Sequence, residues 1–335
     1  MVDIYLAEKI LNDYGISEKV VNITSFQETV FDKQLRCIYQ FDLSNKQKVV
    51  CRISRESNFS KELIEQQNCF SEKLRNYGIL VPKKYCINGH YCIIEKFKNR
   101  ICNITLEEYV GCDYENIKLS SFYFLGKMLG KMHFISEKDP TEIGYSHISK
   151  SIIMGRARFA NLYHGIEREI EKLNDIKEIE SLHDELVHKV KIILKGLPHG
   201  AVHGDLGIFN NIVTMNGKVY IIDFNLAGDE AFLCDMLCCF YSSIYKFAEK
   251  KIYIDISEAY SYFIKGYFEY RKFSYIEIEN FSIISALFDG LFYSKSIIKE
   301  YNDNRNASVL EKLRCAKDKF DLQNHIFCND VLRKG

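Results

Sequence analysis

The sequence predicts an α+β fold of two lobes, an N-terminal lobe over residues 1–98 built on antiparallel sheet and a mainly helical C-terminal lobe over residues 99–335. Three observations predict it. The chain has 335 residues, more than one compact domain usually holds. Its first hundred residues alternate apolar and polar positions in short runs separated by turn signals, as half-buried strands do. Beyond about residue 98, apolar residues recur instead at helical spacing, as in "LSSFYFLGKMLGKMHFIS".

A first helix is expected from about residue 3 to 14, and Val20 to Ser54 reads as antiparallel strands with a turn near Asn45. In "KELIEQQNCFSEKLRNYG", Leu63, Gln67, Phe70 and Leu74 share a helix face, and Gly78 is the expected stop. Asn88-Gly89 predicts a hairpin between two β-rich runs in "KKYCINGHYCIIEKF". No linker rich in Pro, Gly or Ser follows, so the lobe boundary is expected as a short hinge near 98–104. The one β interruption expected in the helical lobe is the stretch from Val202 to Phe224.

Composition narrows the partners. Apolar residues make up 47% of the chain, enough for a sizeable core, while 45 basic and 45 acidic residues cancel. A chain without a global field is not expected to hold nucleic acid or an anionic membrane, and its oligomeric state is left open. Twelve cysteines at irregular spacing, behind an N-terminus without a continuous apolar run, read as reduced thiols of a cytoplasmic protein. Cys234, Cys238 and Cys239 share a helix face and read as core. "GKMLGKM", from Gly126, imitates a phosphate-binding loop, but only three residues separate its glycines and it lies in a helical pattern, so it reads as packing.

The chemistry concentrates in "VHGDLGIFNNIVTMNGKVYIIDF". A two-residue turn at Asn216-Gly217 pairs Ile212 with Ile221, Asn211 with Ile222 and Asn210 with Asp223. Such partners have β-carbons about 4.5–5.5 Å apart. A carboxylate and an amide oxygen at that spacing suit Mg²⁺, which takes hard oxygen donors and fills its other positions with water or phosphate. Asp205, five residues before Asn210, returns to the same end of the hairpin and needs no metal of its own. It is the candidate base for a substrate hydroxyl.

"HGDLGIFNNIV" followed by "IIDF" resembles the aminoglycoside phosphotransferase-like family of small-molecule kinases, relatives of the protein kinases. The resemblance implies a bilobal protein kinase-like fold, Asp205 as catalytic base, Asn210 and Asp223 as magnesium ligands, and ATP or GTP as phosphoryl donor. It also implies that Asp235, in "AFLCDML", supports the loop from below, and that Gly126 and Gly130 permit close helix contact. The similarity is carried by about residues 119 to 240. Gly204 stands where protein kinases have Arg, and eleven residues between Asp223 and Asp235 leave no room for a long peptide-docking segment. A hydroxyl-bearing small molecule, an aminoglycoside-type antibiotic or a metabolite, is therefore the expected acceptor.

The N-terminal lobe departs from the family's pattern. Arg52, in "VVCRIS", falls where relatives have the phosphate-binding lysine, and can grip phosphate bidentately. The helix glutamate that pairs with that lysine falls at Gln67, with Glu65 two residues off. "SFQETVFD" has no glycine to cover phosphates. The alternative reading is a non-catalytic kinase-like nucleotide-binding or regulatory module. For a cationic acceptor, Glu258, Glu269, Glu277, Glu279 and Asp289 are the acidic candidates in the helical lobe.

Overall fold

Residues 2–30, 34–55, 60–113, 117–153, 159–209, 212–215 and 218–322 are described by a computed structural model. The chain divides into two units, Met1–Asp113 with Ile212–Asn225, and Tyr114–Asn211 with Leu226–Gly335.

In the first unit, α1 (Ile4–Asp13) starts at Asp3, whose carboxylate accepts from the Leu6 amide at 2.8 Å. Strands β1 (Val20–Val30), β2 (Leu35–Leu43) and β3 (Lys48–Arg55) follow, then α2 (Lys61–Asn76), β4 (Cys92–Phe97) and β5 (Arg100–Glu108). The strands form one antiparallel sheet in the order β1-β2-β3-β5-β4. Alternation decides its two faces. Tyr39 and Phe41 of β2, Cys51 and Ile53 of β3, and Ile104 and Leu106 of β5 are buried with Ile10 and Leu11 of α1. Burying each large apolar side chain contributes about 1.5–3 kcal/mol. Arg52 lies between Cys51 and Ile53, and Glu107 follows Leu106, so the same alternation turns both to the opposite face.

Two expectations are corrected here. Asn88 (φ 50°) and Gly89 (φ 81°) do form a left-handed turn closed by Ile87 and His90. The run before it, however, does not pair with β4. Lys84 bridges to Glu107 while β4 pairs with residues 100–105, so both lie end to end along one edge of β5. The boundary expected at 98 falls in the β4–β5 turn, Lys98 (φ 49°) and Asn99 (φ 60°), with Phe97 opposite Arg100. It is not a hinge, because β5 is an interior strand paired to β3 on its other edge and carries the sheet on to Glu108.

The same unit contains a three-stranded sheet of β6 (Cys112–Asp113), β8 (Ile212–Met215) and β9 (Lys218–Ile221). Pairing runs from Met215 opposite Lys218 to Ile212 opposite Ile221, the register expected from a two-residue turn. Asn216-Gly217 and the pairing of Asn210 with Asp223 lie outside the described residues.

The second unit contains the helices α3 (Ser121–Lys138), α4 (Ile148–Ile153), α5 (Glu167–Ile170) and α6 (Ile176–Ile193). After β7 (His199–Val202) and β10 (Gly228–Ala231), which pair with each other, come α7 (Phe232–Glu249), α8 (Ile256–Tyr267) and α9 (Tyr275–Asn304), then α10 (Ala307–Glu311) and α11 (Ala316–Phe320). Helices α3 and α8 approach closely through glycine. A β-carbon on Gly126 would lie 1.9 Å from the Phe263 carbonyl oxygen, and one on Gly130 would lie 2.4 Å from that of Tyr267. "GKMLGKM" is thus a packing stripe. Helix α9 is long and apolar enough to cross a membrane by length and composition, yet 61% of that apolar window is buried in the protein, against α6, α7 and α11.

Candidate functional site

In the first unit, Arg52 sits at the centre of a charged cluster on the sheet face opposite α1. Its Nε donates to Glu107 Oε1 at 3.0 Å and its Nη1 to Asp223 Oδ1 at 3.3 Å. Arg36 of β2 donates to the other oxygen of Asp223 at 3.4 Å, and Lys84 donates to Glu107 Oε2. Lys84 and Glu107 are buried, and the Arg52 side chain is only 15% exposed. Burial alone would push the Glu107 carboxyl up, but Arg52 and Lys84 outweigh it and bring it down to about 2. Burial likewise opposes the Arg52 charge, and Glu107 and Asp223 reverse that effect, so its pKa rises.

The ion-pair partner of Arg52 is therefore neither Gln67 nor Glu65. Gln67 is buried on α2 and donates to the Asn225 carbonyl at 2.7 Å, while Phe70, one turn on, meets the Phe224 ring edge-on. Glu65 accepts from the amides of Tyr91 and Cys92, at the start of β4. Helix α2 thus fixes the segment after Asp223 through an amide, and the carboxylate that holds Arg52 comes from β5. Sequence reasoning missed Glu107 and Lys84. The available signal was a glutamate at a buried, strand-interior position of "NITLEEYV", which needs a cation.

Asp223 follows β9 by two residues and has φ 66°, a left-handed conformation that aspartate tolerates better than most residues and that costs of order 1–3 kcal/mol. Its half-buried carboxylate meets two guanidinium groups only at 3.3 and 3.4 Å, long for charge-assisted bonds, so lone pairs remain for a hard cation. Asn210, the second predicted magnesium ligand, lies outside the described residues.

The second unit positions Asp205. Gly204 has φ 80°, and a β-carbon there would lie 2.1 Å from the Leu226 carbonyl oxygen. Only glycine fits, which is the physical reason for the departure from the protein-kinase Arg. The Gly204 amide donates to Asp235 Oδ1 at 3.1 Å, and Asp235 Oδ2 lies 2.9 Å from His133 Nε2. His133 Nδ1 lies 2.8 Å from the Tyr267 hydroxyl, which accepts from Arg271 at 3.2 Å. Arg271 in turn makes two bonds to Glu277, at 2.9 and 3.1 Å. Asp235 thus supports the loop as expected, at one end of a buried chain of polar groups.

Asp205 is exposed and lines a cavity of about 460 Å³ formed with α7, α9 and the loop residues Gly207, Ile208 and Phe209. That volume suits a small-molecule ligand. None of the five acidic candidates lines it. Glu277 is held by Arg271, Asp289 accepts from the Tyr245 hydroxyl, and Glu269 pairs with Lys127. Burial pushes the thiols of Cys234, Cys238 and Cys239 well up, which keeps them protonated packing groups.

The family model for the RIO domain, which has a protein kinase-like fold, matches residues 162–229. No curated protein sequence matches the chain. Among solved structures, it is similar to a microcompartment-associated aminopropanol kinase (15% identity, 98% of this chain and 99% of that one, TM-score 0.67) and to amicoumacin kinase in complex with AMP-PNP, Ca²⁺ and Ami (16%, 90% and 89%, 0.62). It is also similar to choline kinase from Streptococcus pneumoniae (13%, 94% and 99%, 0.52). The similarity extends well beyond residues 119–240, through the sheet of the first unit and the helices of the second. The chain therefore has the bilobal protein kinase-like fold, which it shares with these small-molecule kinases.

Proposed function

We propose that the chain is a cytoplasmic small-molecule kinase, an ATP- or GTP-dependent phosphotransferase whose acceptor is a hydroxyl group. The observation that carries this reading is Asp205, exposed on a loop pinned by Asp235 and lining a cavity of ligand size. As the acceptor oxygen attacks the terminal phosphorus of the nucleotide, Asp205 takes the hydroxyl proton and the bond to the departing nucleoside diphosphate breaks. Arg52, held rigid by Glu107, grips nucleotide phosphate. Asp223 and Asn210 would hold Mg²⁺, which when bound neutralises charge on the phosphates. The similar kinases act on chemically different acceptors, so the acceptor of this chain is left to its own cavity residues.

A non-catalytic kinase-like module remains the second reading, favoured by the engagement of Arg52 and Arg36 with Asp223. Thermal shift with magnesium and nucleotide, with turnover of an acceptor panel followed by mass gain, separates the two. The kinase reading expects nucleotide-dependent stabilisation that disappears in Asp223→Ala, and turnover that disappears in Asp205→Asn while nucleotide binding survives. A folded protein indifferent to every nucleotide sinks it.

A further inference from the structure

Resting on the kinase reading, we infer that the acceptor is an anion, a hydroxyl compound carrying a carboxylate or phosphate, seated against Lys246, Lys295 and Lys299. Two helices supply the cavity's charge. Tyr245, Lys246 and Glu249 share a face of α7, and Phe292, Lys295 and Lys299 recur at i, i+3 and i+7 on α9.

Apart from Asp205, three ammonium groups meet one carboxylate in the cavity, Glu249. That carboxylate is shared, since Lys246 lies 3.3 Å from Glu249 Oε2 and Lys299 bonds to the same oxygen. Among the described residues, no carboxylate lies within ion-pair distance of Lys295, whose ammonium rests 6.0 Å from the centre of the Phe292 ring. Lys295 and Lys299 are like charges one helical turn apart, an arrangement that weakens a helix unless an anion lies between them. Phe209, Tyr245 and Phe292 supply aromatic walls to the cavity, against which the apolar stems of such lysines can lie with their charged ends free for a ligand. An adjoining depression that shares Lys246, Glu249 and Lys299 adds Lys250, Lys251 and Lys312 against Glu300 and Asp303, which keeps the sum positive, and the Lys250 ammonium lies 5.0 Å from the centre of the Phe209 ring. A cationic acceptor entering here would meet excess positive charge, whereas an anion would be drawn in and oriented with its hydroxyl free for Asp205.

The test uses the full chain with magnesium and ATP or GTP. Acceptor panels are anionic (gluconate, glycerol 3-phosphate), neutral (glucose, glycerol) and cationic (kanamycin, ethanolamine), followed by mass gain. Binding of gluconate and of glycerol 3-phosphate is measured separately by ligand-observed NMR without nucleotide. Anionic acceptors are expected to be phosphorylated, the two probes distinguishing carboxylate from phosphate. Lys295→Gln should raise KM several-fold, and the Lys295→Gln/Lys299→Gln pair about tenfold, with kcat less affected and the effect fading at high salt. Phosphorylation confined to cationic or neutral acceptors overturns the anion assignment and leaves the kinase reading standing. Lysine-dependent anion binding without any nucleotide binding supports the charge assignment and overturns the kinase reading. The absence of anion binding together with the absence of phosphorylation of every anionic acceptor overturns the inference.

Discussion

Nε2 of His133 lies 2.9 Å from Oδ2 of Asp235, and both side chains are buried. The geometry assigns the imidazole: Nε2–H donates to the carboxylate, and Nδ1 accepts from the Tyr267 hydroxyl. Asp235 then spends its other oxygen on the Gly204 amide. Asp235→Ala leaves one buried imidazole N–H and one buried amide without acceptors, so it is expected to destabilise the protein by about 2–5 kcal/mol. Chemical denaturation reads that loss. Turnover should fall further than stability alone accounts for, because the backbone next to Asp205 loses its anchor; a folded Asp235→Ala with undiminished kcat counts against this support.

The same pair predicts a pH dependence. Burial holds the His133 imidazole below its ordinary value, and Asp235 only partly restores it. Unfolded, the group binds a proton at about pH 6.5; folded, it does so only at lower pH. Stability is therefore full above about pH 6.5 and declines as pH falls below it, because the unfolded state binds more protons there. Denaturation midpoints measured from about pH 8 to pH 5 should show this fall. His133→Gln should flatten it, and an unchanged slope would locate the titration elsewhere.

Glu107 predicts a different acid window. Its carboxyl titrates at about 2 in the folded protein, since Arg52 and Lys84 outweigh burial, against about 4.3 unfolded. Its contribution is fully present above about pH 4.3 and is lost as pH falls towards the folded value. Glu107→Gln strands the buried Lys84 and leaves Arg52 with Asp223 alone, with an expected cost of about 3–5 kcal/mol. Nucleotide-dependent thermal stabilisation should shrink in the same variant, because Arg52 loses its fixed orientation. Retained stability with wild-type nucleotide response would show that Arg52 does not depend on Glu107.

The contrast between these two clusters shows what the sequence could carry. The register of β8 against β9 and the glycine stripe of α3 were legible because turn chemistry and helical spacing act over a few residues, whereas the link from Asp235 to the loop was legible only through the family resemblance. The partner of Arg52 was not. Glu107 is 55 residues away and reaches it through strand order, since β5 inserts between β3 and β4. A local count pointed to α2, where Gln67 instead holds the Asn225 carbonyl. The lysines of the cavity were illegible for a similar reason, as α7 and α9 are far apart in sequence and only tertiary packing sets one stripe against the other.

Gly204 permits a sharp comparison with glycines of the same backbone conformation. Gly204 (φ 80°) and Gly144 (φ 76°) both lie in the left-handed region, but a β-carbon on Gly144 meets nothing within 4 Å, whereas one on Gly204 lies 2.1 Å from the Leu226 carbonyl oxygen. Gly144→Ala should therefore cost only the conformational penalty, about 1–2 kcal/mol. Gly204→Ala adds a backbone clash that no rotamer relieves, and must shift either the loop carrying Asp205 or the segment after Phe224. A thermal midpoint lowered well beyond that of Gly144→Ala, with turnover lost and the helical circular-dichroism signal retained, is the expected result. Equal midpoints and equal turnover in the two variants would mean that the chain relaxes freely at Gly204 and that the loop is not held where Asp235 and Leu226 appose it.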